Sequence, residues 1–402
     1  MPKKSKTKPE QNGPVFCVMG AGNGGLAMAA HLCLMGFRVR LYNRSEARIQ
    51  PIVQSGYIQL IASHERDDLP SGHAEPEVVT NDAKKALPGA DIAMVVVPAT
   101  GHDFMAEQCA PYLKEGSIVV LNPGRTGGAL EFRHRFLQAG GNPGVIIAEA
   151  QTLLYASRAL NPAQVQIFGI KNSVPVAAIP AYKTPDVIRA LSPAYKEFVP
   201  GDNVMKTSLD NIGAIFHPAV TVLNCARIES TRGDFEYYIE GISRSSALIL
   251  EAIDAERVAV GAAMGFNCMT AREWLYIAYD AAGRTLFDAI RANSGYYGIK
   301  APHTLAHRYL TEDVPMSLVP IASLGDMLGV PCPTIKAIIH LAGLIHECDY
   351  WKVGRTVETM GIAGMSLQQL RRLILDGDQP RGRKAANGKP AVTKATGPTR
   401  TR

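Results

Sequence analysis

The side chains best suited to acid–base chemistry lie in two separate stretches of the chain. The first is the apolar run NIGAIFHPAVTVLN, in which His217 is followed by a proline. A histidine there could be a packed core residue or a group that moves protons, because imidazole titrates near neutral pH. The second stretch, HTLAHRYLTEDVPMSLVP, contains Arg308 and Asp313. An arginine can clamp a carboxylate with two hydrogen bonds, and an aspartate can orient and charge-stabilise a histidine.

The second stretch also raises the alternative of a metal site. His303 and His307 have the i, i+4 spacing of two ligands on one helix face. No HExxH pattern or clear third ligand follows them, and Pro302 and Thr304 suggest a helix start instead. We therefore expect no metal here. The remaining alternatives are anion binding with acid–base chemistry, or a helix N-terminus with solvated charges.

A glycine pattern near the start of the chain predicts a dinucleotide site. In VMGAGNGGLA, Gly20, Gly22 and Gly25 have GxGxxG spacing between a strand-like run and a helical pattern. The first glycine permits a tight turn, the second lets the backbone approach a pyrophosphate, and the third allows close helix–sheet packing. Asn23 and Gly24 lie in the same loop, where a helix N-terminus offers free N–H groups to phosphates. We expect all five residues to contact the cofactor.

The end of the second strand-like run bears on the choice of cofactor. In LYNRSEAR, Asn43, Arg44 and Ser45 stand where an NAD-preferring site usually has an acidic residue for the ribose 2′-hydroxyl. An amide does not repel a 2′-phosphate, and an arginine can pair with it. We therefore expect NADP(H) to be favoured, with NAD(H) as the alternative. If Arg44 is only an exposed loop residue, either cofactor would bind.

Two later strand-like runs end in turns rich in proline and glycine, VVVPATGH and VLNPGRTGGALEF. In open α/β sheets the ligand lies outside the carboxyl ends of the strands. Pro98, Ala99 and Asn122 are therefore expected to line the nicotinamide ribose, although these turns would exist without a ligand as well.

Two parts of the chain with different sequence patterns must position these sites: the first alternates strands and helices, and the second is helical. Apolar strand-like runs separated by helical stretches predict a parallel sheet covered on both faces. VQIFGI and SVPVAAIP are expected to add a final strand pair to that sheet. Further along, helical periodicity dominates. The helices are predicted over 183–197, 206–230, 236–264, 269–292, 316–329, 334–347 and 366–375.

The predicted fold class is thus α/β plus all-α. A Rossmann-type doubly wound sheet over residues 14–182 is followed by a helical substrate and catalytic domain over 183–376. Both ends of the chain, 1–13 and 377–402, are expected to be disordered basic tails. Residues 1–13 carry four Lys and one Glu, and residues 381–402 carry seven basic residues and no acidic one. The tails contain no aromatic residue for stacking, so nucleic-acid binding is not expected.

Composition favours a cytoplasmic protein. The seven cysteines form no CxxC pair, which fits a reducing compartment better than a disulfide framework or a zinc site. No apolar run has the length of a membrane span, and no apolar segment follows the basic N-terminus as in a secretory signal. Long apolar helical stretches such as 236–264 make a homodimer the expected assembly.

The chain resembles the octopine/nopaline (opine) dehydrogenase family along nearly all of the predicted ordered length. The matching pieces, in order, are GAGNGGLAMAAHL, LYNRSEARI, VVVPATGH, NPGRTGGALEF, AEAQTLLYASR, HPAVTVLN, YYIEGIS, LEAIDAERVAVGAAMG, HRYLTEDVPMSLVP and GRTVETMG. The resemblance implies an active site in the cleft between the two domains. It also implies NAD(P)H-dependent reductive condensation of an α-keto acid, often pyruvate, with the amino group of an amino acid through an imine.

The resemblance also implies roles for individual residues. His217 and Asp313 would form the catalytic pair, and Arg308 would bind a substrate carboxylate. The family tends to have an asparagine one helical turn before the histidine, where this chain has Gly213. Asn211, two residues earlier, is the substrate-binding candidate that could take its place.

Two other functions compete with this interpretation. β-Hydroxyacid dehydrogenases and ketopantoate reductases also join a Rossmann domain to a helical domain, but they rely on a lysine of the second domain. Lys196, Lys206, Lys300, Lys336 and Lys352 have no comparably apolar setting in the sequence. A dinucleotide-binding sensor without catalysis is the second alternative, since a fold alone does not imply an activity.

Overall fold

A computed structural model describes residues 13–63 and 69–377 of the 402. The tails expected at 1–13 and 377–402 therefore lie almost entirely outside the described residues. Within them, the chain forms a sheet domain followed by a helical domain, which confirms the predicted fold class.

The main sheet has eight strands in the order β12-β11-β8-β7-β6-β1-β2-β5. The segment from β5 to β8 has the strand order of a dinucleotide-binding fold, with every neighbouring pair parallel. β11 is antiparallel to β8, and β12 adds a parallel edge to β11. The strands are β1 (Val15–Met19), β2 (Arg38–Tyr42), β5 (Val78–Thr80), β6 (Ile92–Val95), β7 (Ile118–Leu121), β8 (Ile146–Ala150), β11 (Val174–Ile179) and β12 (Phe198–Pro200).

A second, four-stranded sheet has the order β4-β3-β10-β9. Its strands are β3 (Ile58–Ala62), β4 (Gly72–Ala74), β9 (Tyr155–Asn161) and β10 (Gln164–Ile170). The expectation that VQIFGI and SVPVAAIP extend one sheet as a pair is therefore wrong. The first run is β10, which pairs with β9 and β3, and only the second run joins the main sheet. β9 has exposed apolar residues, Ala156 and Leu160, and a partly buried serine, Ser157, so its sequence lacks the alternation that predicts a strand.

Seventeen α-helices complete the described part of the chain. In the sheet domain they are α1 (Asn23–Leu34), α2 (Glu46–Ser55), α3 (Ala83–Ala86), α4 (His102–Cys109), α5 (Gly128–Gln138) and α6 (Thr184–Leu191). In the helical domain they are α7 (Val204–Leu209), α8 (Gly213–Leu223), α9 (Cys225–Thr231), α10 (Arg244–Ala263), α11 (Ala271–Tyr279), α12 (Leu286–Ala292), α13 (Arg308–Thr311), α14 (Val319–Leu328), α15 (Pro333–Ile345), α16 (Tyr350–Val353) and α17 (Leu367–Asp376).

Several predicted helices are shorter than their periodicity suggested. The stretch 206–230 contains three helices, and α10 begins at Arg244 because Ser243 forms a capping box with Ser246. The stretch 269–292 is interrupted between Tyr279 and Leu286, where Asp280 adopts a left-handed conformation. Caps and left-handed residues thus end helices inside continuous apolar patterns.

The two domains share one hydrophobic core. It runs from one face of the main sheet, at Met19 and Leu121, into the helical domain at Met205, Ile215 and Phe216. A second core lies between the opposite face of the main sheet, α1 and the four-stranded sheet. Because β12 belongs to the main sheet, that sheet continues beyond the boundary expected at residue 182. No helix among the described residues is long and apolar enough to cross a membrane.

Candidate active site

The glycine loop connects β1 to α1 at the carboxyl edge of the main sheet. Gly20 has a φ of +123°, and a Cβ there would lie 2.4 Å from the Val96 carbonyl oxygen. A Cβ on Gly25 would lie 1.9 Å from the Gly20 carbonyl oxygen, so this glycine permits the close approach of helix and strand. A Cβ on Gly22 would meet nothing within 4 Å, which leaves open space beside the start of α1. Gly24 faces Leu153, a residue of the loop after β8.

The asparagines near this loop already serve protein contacts. The Asn23 side-chain oxygen accepts from the Ala159 N–H at 3.0 Å and thereby ties α1 to β9. The Asn43 side chain accepts from the Ala21 N–H at 3.0 Å and donates to the Ser45 carbonyl at 2.9 Å. Asn43 therefore braces the glycine loop through its amide.

Arg44 and Ser45 are exposed beyond the end of β2. The Arg44 guanidinium lies 5.2 Å from the centre of the Phe104 ring on α4. Arg48, one turn along α2, donates from Nε to the Ala21 carbonyl at 3.1 Å. Among the described residues, neither arginine forms an ion pair with a carboxylate, and both guanidinium groups lie near the glycine loop.

The remaining candidates for the cofactor site lie at the ends of β6 and β7. Pro98 is exposed, whereas Ala99 is buried and donates its N–H to Oε1 of Glu312 in the helical domain at 3.2 Å. Asn122 is buried, and its amide nitrogen donates to the Val120 carbonyl. Its side-chain oxygen is buried without a hydrogen-bond partner, so one acceptor is available at this edge of the sheet.

These features fit a dinucleotide. The open space at Gly22 and the N-terminus of α1 suit a pyrophosphate, and the Asn122 oxygen can accept from a bound group. No cluster of metal-ligating side chains occurs in the part of the chain that the structure describes.

His217 and Asp313 are brought together from opposite ends of the helical domain. His217 lies on α8 and Asp313 follows α13, 96 residues later. Nδ1 of His217 lies 2.8 Å from Oδ2 of Asp313, so the carboxylate fixes the tautomer that carries a proton on Nδ1. The histidine side chain is 20% exposed and the aspartate side chain is fully buried. The pair thus has the geometry of a carboxylate-oriented acid–base group that solvent or substrate can reach.

Arg125 is the site residue that sequence reasoning missed. It lies in the loop between β7 and α5, and its Nη1 is 2.9 Å from Oδ1 of Asp313. Its Nε is 3.3 Å from Oε1 of Glu312, and its side chain is only 8% exposed. Arg125 has a φ of 60°, a left-handed conformation that non-glycine residues adopt at a cost of about 1–3 kcal/mol. An arginine inside the quoted NPGRTGG turn, at the end of a strand, was the available signal.

Opposing effects set the ionisation of the buried aspartate. Burial by itself would raise the pKa of Asp313, but the positive charges of Arg125 and His217 and the hydrogen bond to His217 outweigh it and lower that pKa. Burial would likewise lower the pKa of Arg125, but Asp313 and Glu312 raise it overall. Asp313 is therefore a carboxylate over the working pH range.

Arg308 remains largely open to solvent. Its guanidinium Nη2 lies 3.1 Å from Oε2 of Glu312, and its side chain is 55% exposed. Glu312 itself is buried and holds Arg125 through its other oxygen. Arg308 therefore has donors left for an incoming anion close to the histidine pair.

Asn211 lies beside the His217–Asp313 pair, across the space left by Gly213. Its amide nitrogen donates to the Ser317 hydroxyl at 2.9 Å. A Cβ on Gly213 would lie 3.4 Å from the Asn211 side-chain oxygen and 3.2 Å from Cε1 of His217. The missing side chain at position 213 thus leaves a space that the Asn211 amide oxygen and the His217 ring both border.

Aromatic residues hold the histidine ring in place. The Tyr309 ring stacks on His217 with a centroid distance of 4.1 Å and an interplanar angle of 16°. The Tyr237 hydroxyl donates to the His217 carbonyl at 2.8 Å, and the Thr221 hydroxyl donates to the same oxygen at 2.7 Å. Pro218 follows within the helix and cannot donate an N–H to the carbonyl one turn earlier. The ring position is therefore set by stacking and by the Asp313 carboxylate together.

A GxGxxG loop at a parallel sheet, joined to a helical domain that contains a histidine–aspartate pair, is the arrangement of a two-domain NAD(P)-dependent oxidoreductase. A family model for the alpha-helical domain of NAD/NADP octopine/nopaline dehydrogenases matches residues 200–346. The opine dehydrogenase of Arthrobacter sp. (strain 1C) is 38% identical over 359 residues, covering 89% of this chain and 98% of that protein. The chain belongs to the opine dehydrogenase family and is an NAD(P)-dependent oxidoreductase acting on CH–NH donors.

Solved structures share the fold over nearly the whole chain. Octopine dehydrogenase with NADH and L-arginine superposes with a TM-score of 0.76 at 21% identity, covering 92% of this chain and 99% of that one. Yersinopine dehydrogenase with NADP⁺ superposes with a TM-score of 0.73 at 14% identity, covering 90% and 99%. These two structures therefore include both forms of the nicotinamide dinucleotide.

The ketopantoate reductase alternative is not favoured. A family model described as ketopantoate reductase PanE/ApbA matches residues 16–152, which lie in the sheet domain, whereas the helical domain matches the octopine/nopaline model. Of the lysines weighed for that alternative, Lys206, Lys300, Lys336 and Lys352 each lie near a carboxylate of a neighbouring aspartate.

Proposed function

We propose that the chain catalyses NAD(P)H-dependent reductive condensation of a pyruvate-like α-keto acid with the amino group of an amino acid, using His217 and Asp313. The observation that carries these roles is the 2.8 Å contact between the two side chains, which leaves the other nitrogen of the ring for substrate. The bound dinucleotide would supply a hydride to the imine carbon. The protein's own side chains would bind and orient the substrates and transfer the protons.

His217 handles the protons of the condensation. When the amine adds to the keto carbon, the carbinolamine must lose its hydroxyl as water, and a protonated Nε2 of His217 can donate the proton for that step. In the opposite direction the neutral ring accepts a proton from the water that attacks the imine. Asp313 stabilises the imidazolium because it is ionised and buried beside Nδ1.

Arg308 and Asn211 position the substrate in this proposal. Arg308 offers an exposed guanidinium to a carboxylate, and Glu312 orients it from behind at 3.1 Å. Asn211 lies beside the histidine ring, with its oxygen near the position that a Gly213 side chain would occupy. The two residues would hold the keto acid so that its carbonyl carbon stays near His217.

We further propose that NADP(H) is preferred over NAD(H). Support comes from Arg44, which is exposed at the end of β2 and lacks an acidic partner among the described residues. Asn43 occupies the position that is usually acidic. Its side-chain amide is already hydrogen-bonded to the Ala21 N–H and the Ser45 carbonyl. A 2′-phosphate would thus meet the positive charge of Arg44 there. A homodimer in the cytoplasm stays a prediction from the sequence.

The reaction is tested by following oxidation of NADPH and NADH in the presence of pyruvate and a panel of amino acids. We expect turnover only when an amine and a keto acid are both present, and a secondary amine dicarboxylate as product. Replacing His217 by Ala should lower kcat about 10²- to 10⁴-fold while the Kd for NADPH is unchanged.

His340→Ala is the matched control, since His340 is an exposed histidine on α15. It should retain wild-type turnover. Near-wild-type kcat in His217→Ala would show that another group handles the protons. Amine-independent oxidation of NADPH with keto acids would instead support a hydroxyacid dehydrogenase, and binding of NADPH without turnover on any substrate would support a sensor.

A further inference from the structure

Lys171 occupies a position at the carboxyl edge of the main sheet that no role described above uses. It follows β10, and its ammonium group donates to the Thr152 hydroxyl at 2.6 Å. Thr152 belongs to the loop after β8, at the same edge of the sheet as the loops after β1, β6 and β7. Parallel strands present their ligand at that edge.

Two neighbours of Thr152 place this loop between the glycine loop and the catalytic helix. The Leu153 side chain lies 3.0 Å from the Cβ position of Gly24 in the glycine loop. The Gln151 side chain donates at 2.8 Å to the carbonyl of Asp210, the residue before Asn211. The loop after β8, whose Thr152 accepts from Lys171, thus lies between the glycine loop and the residues that precede α8.

Lys171 has a free positive charge within this cleft. Among the described residues, no carboxylate lies within ion-pair distance of its ammonium group, and Thr152 is its one hydrogen-bonding side chain. Desolvation and the positive charge of Arg125 lower the pKa of Lys171 to about 8. The residue is nevertheless exposed, so a ligand can reach its ammonium group. Arg125 itself is unavailable to ligands, because Asp313 and Glu312 neutralise it.

The chemistry of the proposed function calls for a second cation. A secondary amine formed from a keto acid and an amino acid carries two carboxylates, and Arg308 can hold one of them. Arg308 belongs to the helical domain, whereas Lys171 follows a strand of the sheet domain. We propose that Lys171 binds the second carboxylate of the dicarboxylate, so that the two domains each hold one end of the ligand. This inference rests on the proposed function for the identity of the ligand.

The test compares Lys171→Met, which removes the charge, with Lys171→Arg, which keeps it. Lys352→Met is the matched control, because Lys352 is 81% exposed on α16. In steady-state assays with pyruvate and the best amino acid, Lys171→Met should raise the KM of one of the two carboxylate substrates about 10- to 100-fold. The KM of the other substrate and the Kd of NADPH should stay unchanged, and Lys171→Arg should restore most of the loss.

A binding measurement separates this inference from the proposed reaction. Calorimetric titration of the enzyme–NADP⁺ complex uses iminodiacetate, a secondary amine with two carboxylates, and sarcosine, a secondary amine with one. Wild type should prefer iminodiacetate, and Lys171→Met should lose that preference. The wild-type affinity should fall as the pH rises through about 8, where Lys171 loses its charge, and Lys171→Arg should remove that decline.

Three results would overturn the assignment of Lys171. They are an unchanged preference for iminodiacetate in Lys171→Met, no such preference in wild type, or a loss confined to NADPH binding. The last result would assign Lys171 to the cofactor phosphates instead. Lack of amine-dependent turnover by wild type would reject the proposed reaction, whereas the titrations would still decide whether Lys171 binds a carboxylate.

Discussion

At the scale of single residues, the site depends on charges that compensate one another in the interior. Asp313 interacts with His217 through one oxygen and with Arg125 through the other, at 2.8 and 2.9 Å. Glu312 accepts hydrogen bonds from Arg125 and from the backbone of Ala99, and it forms an ion pair with Arg308. Removing one member would leave a buried charge without its partner, and such losses are far more costly than the loss of a surface pair.

Arg125→Met should therefore act through Asp313. Without the guanidinium, the pKa of Asp313 should rise, because the largest charge that lowers it is gone. A carboxylate with a depressed pKa keeps its function above that pKa and loses it as the pH falls through it. The acidic limb of the kcat/KM profile should thus move to higher pH, with kcat down about 10- to 100-fold at neutral pH. Arg125→Lys should restore part of the shift, and an unmoved acidic limb would show that Arg125 is only structural.

At the scale of secondary-structure elements, the turn between β1 and α1 separates two kinds of glycine. Gly20 and Gly25 are required by the backbone, since a Cβ at either position would overlap a carbonyl oxygen. Gly22 has no such conflict, because its Cβ would point into open space. A glycine without a structural reason, at the N-terminus of a helix, indicates that the space beside it is used by a ligand.

Alanine substitutions should separate these two requirements. Gly25→Ala should destabilise the protein by several kcal/mol, seen as a large drop in the melting temperature, because a Cβ 1.9 Å from the Gly20 oxygen forces strand and helix apart. Gly22→Ala should keep the melting temperature within a few degrees. Its Kd for NADPH should nevertheless rise at least about tenfold, since the methyl group would fill space used by the pyrophosphate. Equal effects of the two variants on stability would contradict this division.

The sequence alone predicted those features that depend on a single strand, helix or turn. The GxGxxG spacing, the alternation of strands and helices, and the position of His217 on a helix depend on local pattern. Arg125 and Glu312, by contrast, meet across 187 residues, and no local pattern records which buried charges will face each other. The four-stranded sheet was missed for a similar reason. β3 and β10 pair across the chain, and β9 has no regular alternation of apolar and polar residues that would predict a strand alone.

At the scale of the whole molecule, buried polar contacts join the two domains beneath the site. Arg355, near the end of the helical domain, is fully buried and donates to Glu131 at 2.6 Å and to the Thr126 carbonyl at 2.7 Å. The Gly127 N–H donates to the Ser208 hydroxyl at 2.9 Å. These contacts fix the α5 end of the loop that carries Arg125, so the position of Arg125 beside Asp313 depends on how the domains are joined.

Glu149 is the titratable group at the centre of this junction. It is the penultimate residue of β8 and is buried, and it accepts from the Ala129 N–H at 2.9 Å. The hydroxyls of Thr207 and Ser208, on α7, donate to it at 2.7 and 2.8 Å. Burial raises the pKa of Glu149 to about 7, even though these hydrogen bonds act in the opposite direction. The junction between the domains therefore contains a carboxyl group that holds its proton more tightly in the folded protein than in the unfolded chain.

This raised pKa makes the stability of the whole molecule depend on pH. The pKa of Glu149 is about 7 in the folded protein and near 4.5 in the unfolded chain. Below about pH 4.5 its protonation contributes fully to stability, and this contribution is lost as the pH rises towards about 7. The wild type should lose about 3 kcal/mol of unfolding free energy over this range relative to Glu149→Gln, which cannot ionise. Urea unfolding of both proteins between pH 5 and 8 measures the difference. We expect the curves to diverge in favour of Glu149→Gln as the pH rises, whereas parallel curves would mean that Glu149 ionises freely and that the junction does not respond to pH.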